Sequence, residues 1–290
     1  MGKKENFHNI FRPKTLHELF SHYTEHPNSL IYAGGTHIMS SSGYNEPVLP
    51  GEVIYLCDVE ELNKIKRTEK YLEIGAIVPL SRLLSIGKNV IPRALYKAIS
   101  LTGNPSIRNL ATIGGNICVA SSYSGIITTL CAMDALIELR SLSKINWIPI
   151  IYITTKEWGK DILGGKILTR IRIPYGKWNY QKFRKISRKK TQKYSSIISC
   201  IYANINKGIL TDMRLTFGAL GTGIFRNRSF EASYIGRKLP IPEKLNILLS
   251  SKLSDHIHPA TDMHSTEEYR KATAIKLLKW YIEDINQTMI

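Results

Sequence analysis

From Leu16 the apolar residues fall at Leu16, Leu19, Phe20 and Tyr23, the spacing of an amphipathic helix. Thr15-Leu-His-Glu18 reads as a capping box that starts this helix, and His26-Pro27-Asn28 stops it. Leu30-Ile-Tyr-Ala33 reads as a short strand running into Gly34-Gly35-Thr36. Further strands are predicted over 53–56, after the Pro50-Gly51 turn, and over 71–75, with helices near 81–86 and 92–101. Residues 102–125 lose any clear period and read as a turn-rich stretch containing Gly114-Gly115-Asn116. A helical segment over 128–132 and strands over 135–140 and 167–173 lead to the Pro/Gly cluster Pro174-Tyr-Gly-Lys-Trp178, a predicted boundary.

Beyond it, 194–205 is apolar and rich in β-branched residues, Asn206-Lys-Gly208 is a turn, and 209–220 is the expected hairpin partner. Ser265-Thr-Glu-Glu268 reads as a second capping box. It opens a long helix through Tyr269, Ala272, Ile275, Leu278 and Trp280. The pattern shows no internal repeat and no low-complexity linker. It predicts an α+β protein with a larger N-terminal part and a smaller C-terminal domain.

Apolar residues at 43% and charged residues at 22% of 290 match an ordinary globular chain and exclude disorder, collagen and coiled coil. At this length about three quarters of the extended surface is buried on folding. No run approaches the roughly 20 apolar residues of a membrane span. Met1-Gly-Lys-Lys-Glu lacks a signal-peptide core, so the expectation is a soluble, cytoplasmic protein. Cys57, Cys118, Cys131 and Cys200 are too scattered for a disulfide framework or a thiolate metal site and read as reduced core residues. The formal charge of +17 asks for an acidic partner or for a lysine-rich habit. The densest run, residues 182–193, has only Phe183 and Tyr194 beside it and no nucleic-acid module signature. It reads as solvated surface, with no nucleic acid expected.

Most catalytic signatures fail. Gly165-Lys166 suggests a phosphate loop, but its first glycine is displaced to Gly159 and Ile167 stands where Ser or Thr would bind magnesium. There is no G-x-G-x-x-G and no G-x-S-x-G. His256, His258 and His264 read as a polar surface loop rather than metal ligands. Asp161 and Asp212 form no defensible carboxylate pair. No catalytic or metal residue is assigned. What remains is two glycine-pair turns, Ala33-Gly-Gly-Thr36 and Ala111-Thr-Ile-Gly-Gly-Asn116. Paired glycines let successive backbone N–H groups converge on an anion, and two such turns could clamp a pyrophosphate. Either alone is more often a structural turn.

The run Ile107-Arg-Asn-Leu-Ala-Thr-Ile-Gly-Gly-Asn-Ile117, together with Ala33-Gly-Gly-Thr36, resembles the FAD-binding medium subunit of the molybdenum hydroxylases, of xanthine dehydrogenase and carbon monoxide dehydrogenase type. Glu73-Ile-Gly-Ala-Ile-Val-Pro-Leu80, Ile171-Arg-Ile-Pro174, residues 208–219 with Arg228, Glu231 and Gly236, and Asp262 with Tyr269-Arg270 extend the resemblance over essentially the whole chain. It implies an α+β fold: a two-subdomain FAD-binding domain of the vanillyl-alcohol-oxidase (PCMH) type over 1–176, divided near 56/57, and a small C-terminal domain over 177–290. It implies FAD held by Ile31, Tyr32, Ala33, Gly34, Gly35, Thr36, His37 and Ile38 on one side of the pyrophosphate. Thr112, Ile113, Gly114, Gly115 and Asn116 stand on the other. Leu168 would lie near the isoalloxazine, and Arg184 or Lys185 would reach the flavin edge, where a cation stabilises reduced flavin.

The same resemblance implies electron transfer from [2Fe–2S] clusters on a small partner subunit to FAD and on to NAD+ or another acceptor. Molybdopterin would sit on a large subunit, in a dimer of heterotrimers. Purine (xanthine) oxidation is the expected reaction. One departure stands out. The family's Pro-x-x-Asp after G-G-N is here Ser122-Tyr-Ser-Gly125, which removes a carboxylate that contributes on the order of 1–3 kcal/mol where buried. Two competing readings stay open. One is a non-catalytic structural subunit that has lost FAD; the other is a basic nucleic-acid-binding protein, which would show steep salt dependence and no yellow colour.

Overall fold

The computed structural model describes residues 9–42, 49–154, 163–187 and 195–288. Gly159, Asp161 and residues 188–194 of the basic run and its flank lie outside them. Along the chain run β1 (Asn9–Phe11), α1 (Leu16–Glu25), β2 (Leu30–Tyr32), α2 (Thr36–Ser41), β3 (Glu52–Tyr55), β4 (Ile65–Arg67), β5 (Tyr71–Gly75) and α3 (Leu80–Ile86). Then come α4 (Arg93–Ser100), α5 (Pro105–Leu110), α6 (Ile113–Cys118), α7 (Gly125–Ala132), β6 (Leu136–Arg140), β7 (Ile145–Pro149) and β8 (Ile167–Pro174). The remainder is β9 (Tyr180–Ile186), β10 (Ile197–Asn206), β11 (Ile209–Gly218), β12 (Phe225–Arg226), α8 (Arg228–Ala232), α9 (Glu243–Ser251) and α10 (Glu267–Thr288).

Contacts divide the chain into two compact units. One is built from Met1–Ile86, Gly103–Val119 and Leu136–Ile173, the other from Gly87–Thr102, Ala120–Ala135 and Pro174–Ile290. In the first unit β1, β3 and β2 form a parallel sheet in that order. Parallel neighbours need crossovers, and α1 and α2 provide them. The capping box forms: Thr15 Oγ1 accepts the Glu18 N–H at 3.2 Å, and the Glu18 carboxylate accepts the Lys14 N–H at 2.8 Å. Leu19 and Phe20 of α1 then bury against Ile54, Leu56, Val59 and Leu62. A five-stranded sheet, β4-β5-β8-β6-β7, completes the unit.

In the second unit β12, β11, β10 and β9 form an antiparallel sheet. The expected hairpin is β10 and β11, turning at Lys207 and Gly208, both at positive φ. Both faces of this sheet are covered. Ser199 bonds Tyr281 of α10 at 2.7 Å on one side, and Thr216 donates to the Thr128 carbonyl of α7 at 2.9 Å on the other. That explains why β10 reads as a continuous apolar run rather than an alternating one.

Four expectations need correcting. Residues 102–125 hold α5, α6 and the start of α7. Asn104, Thr112 and Ser124 each cap one by accepting a backbone N–H three residues on, at 2.8, 3.0 and 3.2 Å. Helices this short complete too few turns to show their period. The start of the basic run is a strand, β9, because β10 pairs with it. The last helix is capped by Thr266, which accepts from the Tyr269 N–H at 3.3 Å, one residue beyond the expected Ser265. Cys131 and Cys200 are buried, whereas Cys57 and Cys118 are exposed; all four are free thiols. No helix among the described residues is long and apolar enough to cross a membrane.

Candidate functional site

The first glycine turn joins β2 to α2, and its two glycines answer to different constraints. A Cβ on Gly34 would stand 1.8 Å from the Leu110 carbonyl oxygen, so bare backbone abuts the end of α5. Gly35 lies at φ +62°, the left-handed region that favours glycine, with the Tyr32 side chain folded over it. Gly35 is the N-cap of α2 and brings no capping side chain. The N–H groups of Thr36, His37 and Ile38 therefore form an uncapped first turn with no intrahelical acceptor. His37 is exposed and its neighbours are half-buried, so these donors lie at an accessible surface.

The second turn differs, and here the expected anion cradle is corrected. Ile113 N–H donates to Val78 O at 3.0 Å, Gly114 to Ala76 O at 2.8 Å, Gly115 to Thr112 Oγ1 at 3.0 Å and Asn116 to Thr112 O at 3.0 Å. All four donors are consumed inside the protein. Gly114 is required by packing, since a Cβ there would lie 2.6 Å from Ala76 O. Gly115 is exposed and offers a surface without a side chain to whatever approaches.

The structure brings these pieces together in one unit. Gly34 meets Leu110 two residues before Thr112. Ala76, beneath Gly114, donates its N–H to Thr169 O at 2.9 Å, and Leu168 is buried next along β8 at 3% exposure. Thr169 also lines a cavity of about 640 Å³ whose buried carboxylates are paired. Arg170 bonds Glu138 at 3.0 Å and Glu73 at 2.8 Å, and Arg172 bonds Glu73 at 2.9 Å. Burial opposes the Glu73 charge, but Arg172 and Arg170 outweigh it and hold its carboxyl below the usual range. Arg172 also stacks 4.0 Å from the Trp147 ring. These carboxylates are locked in ion pairs and are poorly placed to move protons.

Arg184 and Lys185 belong to the second unit and point to opposite faces of β9. The Arg184 guanidinium lies 4.4 Å from the Trp280 ring of α10, on the face where Lys182 reaches Asp284 at 3.0 Å. Lys185 shares its face with Phe183, and burial pulls its pKa below the ordinary lysine range.

The Ser122–Gly125 departure has a physical account within this unit. A Cβ on Gly125 would lie 2.7 Å from Phe183 Cζ, so the ring fills the space an aspartate would need. The loop is tied down instead by Tyr123, whose hydroxyl donates to Asp262. Asp262 also accepts from Arg270 at 2.7 Å and from the His264 N–H at 2.8 Å. Burial opposes the Asp262 charge, yet these donors hold its carboxyl well below the usual range. In the sequence Phe183 stands beside the basic run and Tyr123 within the changed loop, and neither is assigned a role there. The available signal was an apolar residue standing in a basic run. His256 contacts Asn227 at 3.3 Å and forms no metal-ligating trio with His258 and His264 among the described residues.

A family profile described as the FAD binding domain in molybdopterin dehydrogenase matches residues 5–176. The CO dehydrogenase flavoprotein C-terminal domain matches 181–285. The chain is 24% identical over 288 residues to a xanthine dehydrogenase of Emericella nidulans, covering 95% of this chain but only 21% of that protein. It is 26% identical over 268 residues to the glyceraldehyde dehydrogenase medium chain of Sulfolobus acidocaldarius, covering 90% of this chain and 92% of that one. Quinoline 2-oxidoreductase from Pseudomonas putida 86 has the same fold, with a TM-score of 0.84 over 97% of each chain at 19% identity.

Proposed function

The chain belongs to the FAD-binding subunits of the molybdenum hydroxylases, an oxidoreductase family, and from that premise we propose that it carries electrons from [2Fe–2S] clusters on a partner chain to NAD+ or another acceptor. The observation that carries this reading is the uncapped first turn of α2 behind Gly34, which packing against Leu110 requires, and Gly35, whose positive φ favours glycine. Such a turn suits an anion, because its free N–H groups and the helix dipole both favour negative charge.

The residues present fit FAD. Amides of Thr36, His37 and Ile38 bind the pyrophosphate, with Ile31, Tyr32, Ala33, Gly34 and Gly35 shaping the approach. Thr112, Ile113, Gly114, Gly115 and Asn116 form the facing wall, acting through the bare surface of Gly115 rather than through their amides. Leu168 supplies apolar packing for the ring system. Of the two cations considered, Lys185 is the better candidate for the flavin edge, since Arg184 is engaged by Trp280. FAD, when bound, supplies the exchange between one-electron carriers and a two-electron acceptor. No side chain here is assigned proton transfer.

We place the flavin domain at 1–176 and the C-terminal domain at 177–290. The partners would be a molybdenum-cofactor large subunit and a [2Fe–2S] small subunit, in a dimer of heterotrimers in the cytoplasm. Purine oxidation is the favoured reaction, supported by the likeness to a xanthine dehydrogenase; the likeness to a glyceraldehyde dehydrogenase medium chain supports aldehyde oxidation as a second reading. The test is FAD titration of the purified chain, followed by the visible spectrum. One FAD per chain is expected. Gly34→Ala should lose it, while Gly51→Ala, which faces open space, should retain it. No uptake by the wild type, or equal uptake by Gly34→Ala, overturns the reading. Bleaching of the bound flavin by NADH tests the acceptor.

A further inference from the structure

Three metal-ligating side chains share one face of α1. His22, Glu25 and His26 stand at i, i+3 and i+4, positions that neighbour one another on a helix. Each brings a ligand atom to within 4.8 Å of the other two, and no other trio among the described residues does so. The His22 ring is held between Phe11, stacked at 3.8 Å and 12°, and His26, at 4.5 Å and 30°. Its Nε2 is buried without a hydrogen-bond partner, which is unusual for a buried polar atom. Glu25 and His26 are exposed and can move.

We propose that His22, Glu25 and His26 form a binding site for a late first-row divalent cation of the zinc type. Two imidazoles and a carboxylate are a common donor set for zinc, with the fourth position left to water. Zinc–nitrogen distances of about 2.0–2.1 Å put tetrahedral ligands about 3.4 Å apart. The trio therefore closes by about 1.4 Å at most, a shift that rotation of Glu25 and His26 can supply around the fixed His22 ring. The site lies at the last turn of α1, where the helix dipole favours a cation. It would pin the turn that leads into β2. The His-x-x-Glu-His spacing is visible in the sequence, but the ordering of His22 by Phe11 is not.

The test is calorimetric titration of Zn2+ into the chelator-treated full chain, with Co2+ as a spectroscopic probe. One site is expected. Outer ligand partners alone change affinity about 10–100-fold, so His26→Gln should weaken binding at least about tenfold. His256→Gln should leave it unchanged. Zinc should raise the unfolding midpoint of the wild type but not of His26→Gln. Bound Co2+ should show ligand-field bands without thiolate charge transfer. Unchanged affinity in His26→Gln, no binding by the wild type, or a thiolate band from an exposed cysteine would each overturn the proposal.

Discussion

Gly125→Ala sets two effects of known sign against each other. Gly125 is the first residue of α7, where replacing glycine in a compatible conformation stabilises by about 0.4–1 kcal/mol by reducing the entropy of the unfolded chain. The new Cβ, however, falls 2.7 Å from Phe183 Cζ and 3.2 Å from Cε2. Phe183 is 8% exposed, so its ring has little room to turn away. Overpacking of this kind costs about 1–3 kcal/mol. The clash should win, leaving Gly125→Ala less stable by up to about 2.5 kcal/mol. In a Phe183→Leu background the ring edge is gone and the same substitution should become neutral or slightly stabilising. The coupling energy from urea unfolding of all four proteins should then be about 1–3 kcal/mol, the range seen for residues in contact. Gly125→Ala stabilising by the same amount in both backgrounds would refute the claim that Phe183 fills the space. Gly125→Asp, which restores the family's carboxylate, should be worse still in the wild type and should recover with Phe183→Leu.

Arg170→Met should destabilise by about 1–3 kcal/mol, because it leaves Glu138, 1% exposed, without its charged partner while Glu73 keeps Arg172; denaturant unfolding checks it, and Glu138→Gln should cost less. The Asp262 carboxyl is held below its usual range in the folded state. Its contribution is therefore present at neutral pH and lost as pH falls below the ordinary carboxylate range. Asp262→Asn should lower stability at pH 7 and flatten the acid limb of the stability curve. Arg184→Met should leave the reduction potential of bound FAD nearly unchanged, whereas Lys185→Met should make it more negative, as a redox titration would show.

The glycine pairs were legible because their constraints are local: a positive φ at Gly35 and a strand running into a helix are written within a few residues. The capping box at Thr15 and the β10–β11 hairpin were legible for the same reason. The likeness of the whole chain to a flavoprotein family rested on those strings. What each glycine does was not legible. Gly34 and Gly114 are required by Leu110 and by Ala76, residues distant in sequence, and no pattern around Gly114 shows that its amides are already spent on Ala76, Val78 and Thr112. The helices within 102–125 were hidden because six residues are too few to display a period.

The second unit makes the same division. The order of apolar and charged residues from 180 to 186 is fixed by sequence, but pairing with β10 is what makes it a strand and sends Arg184 and Lys185 to opposite faces. Only then do Trp280 on one face and the half-buried surroundings of Lys185 on the other distinguish two adjacent cations. The loss of the carboxylate at Gly125 was visible in the chain, while its cause, the ring of Phe183, is a contact across 58 residues. Sequence determines what each backbone segment can adopt at low cost; which donors remain free and which spaces are filled depends on contacts that exist only once the chain has closed on itself.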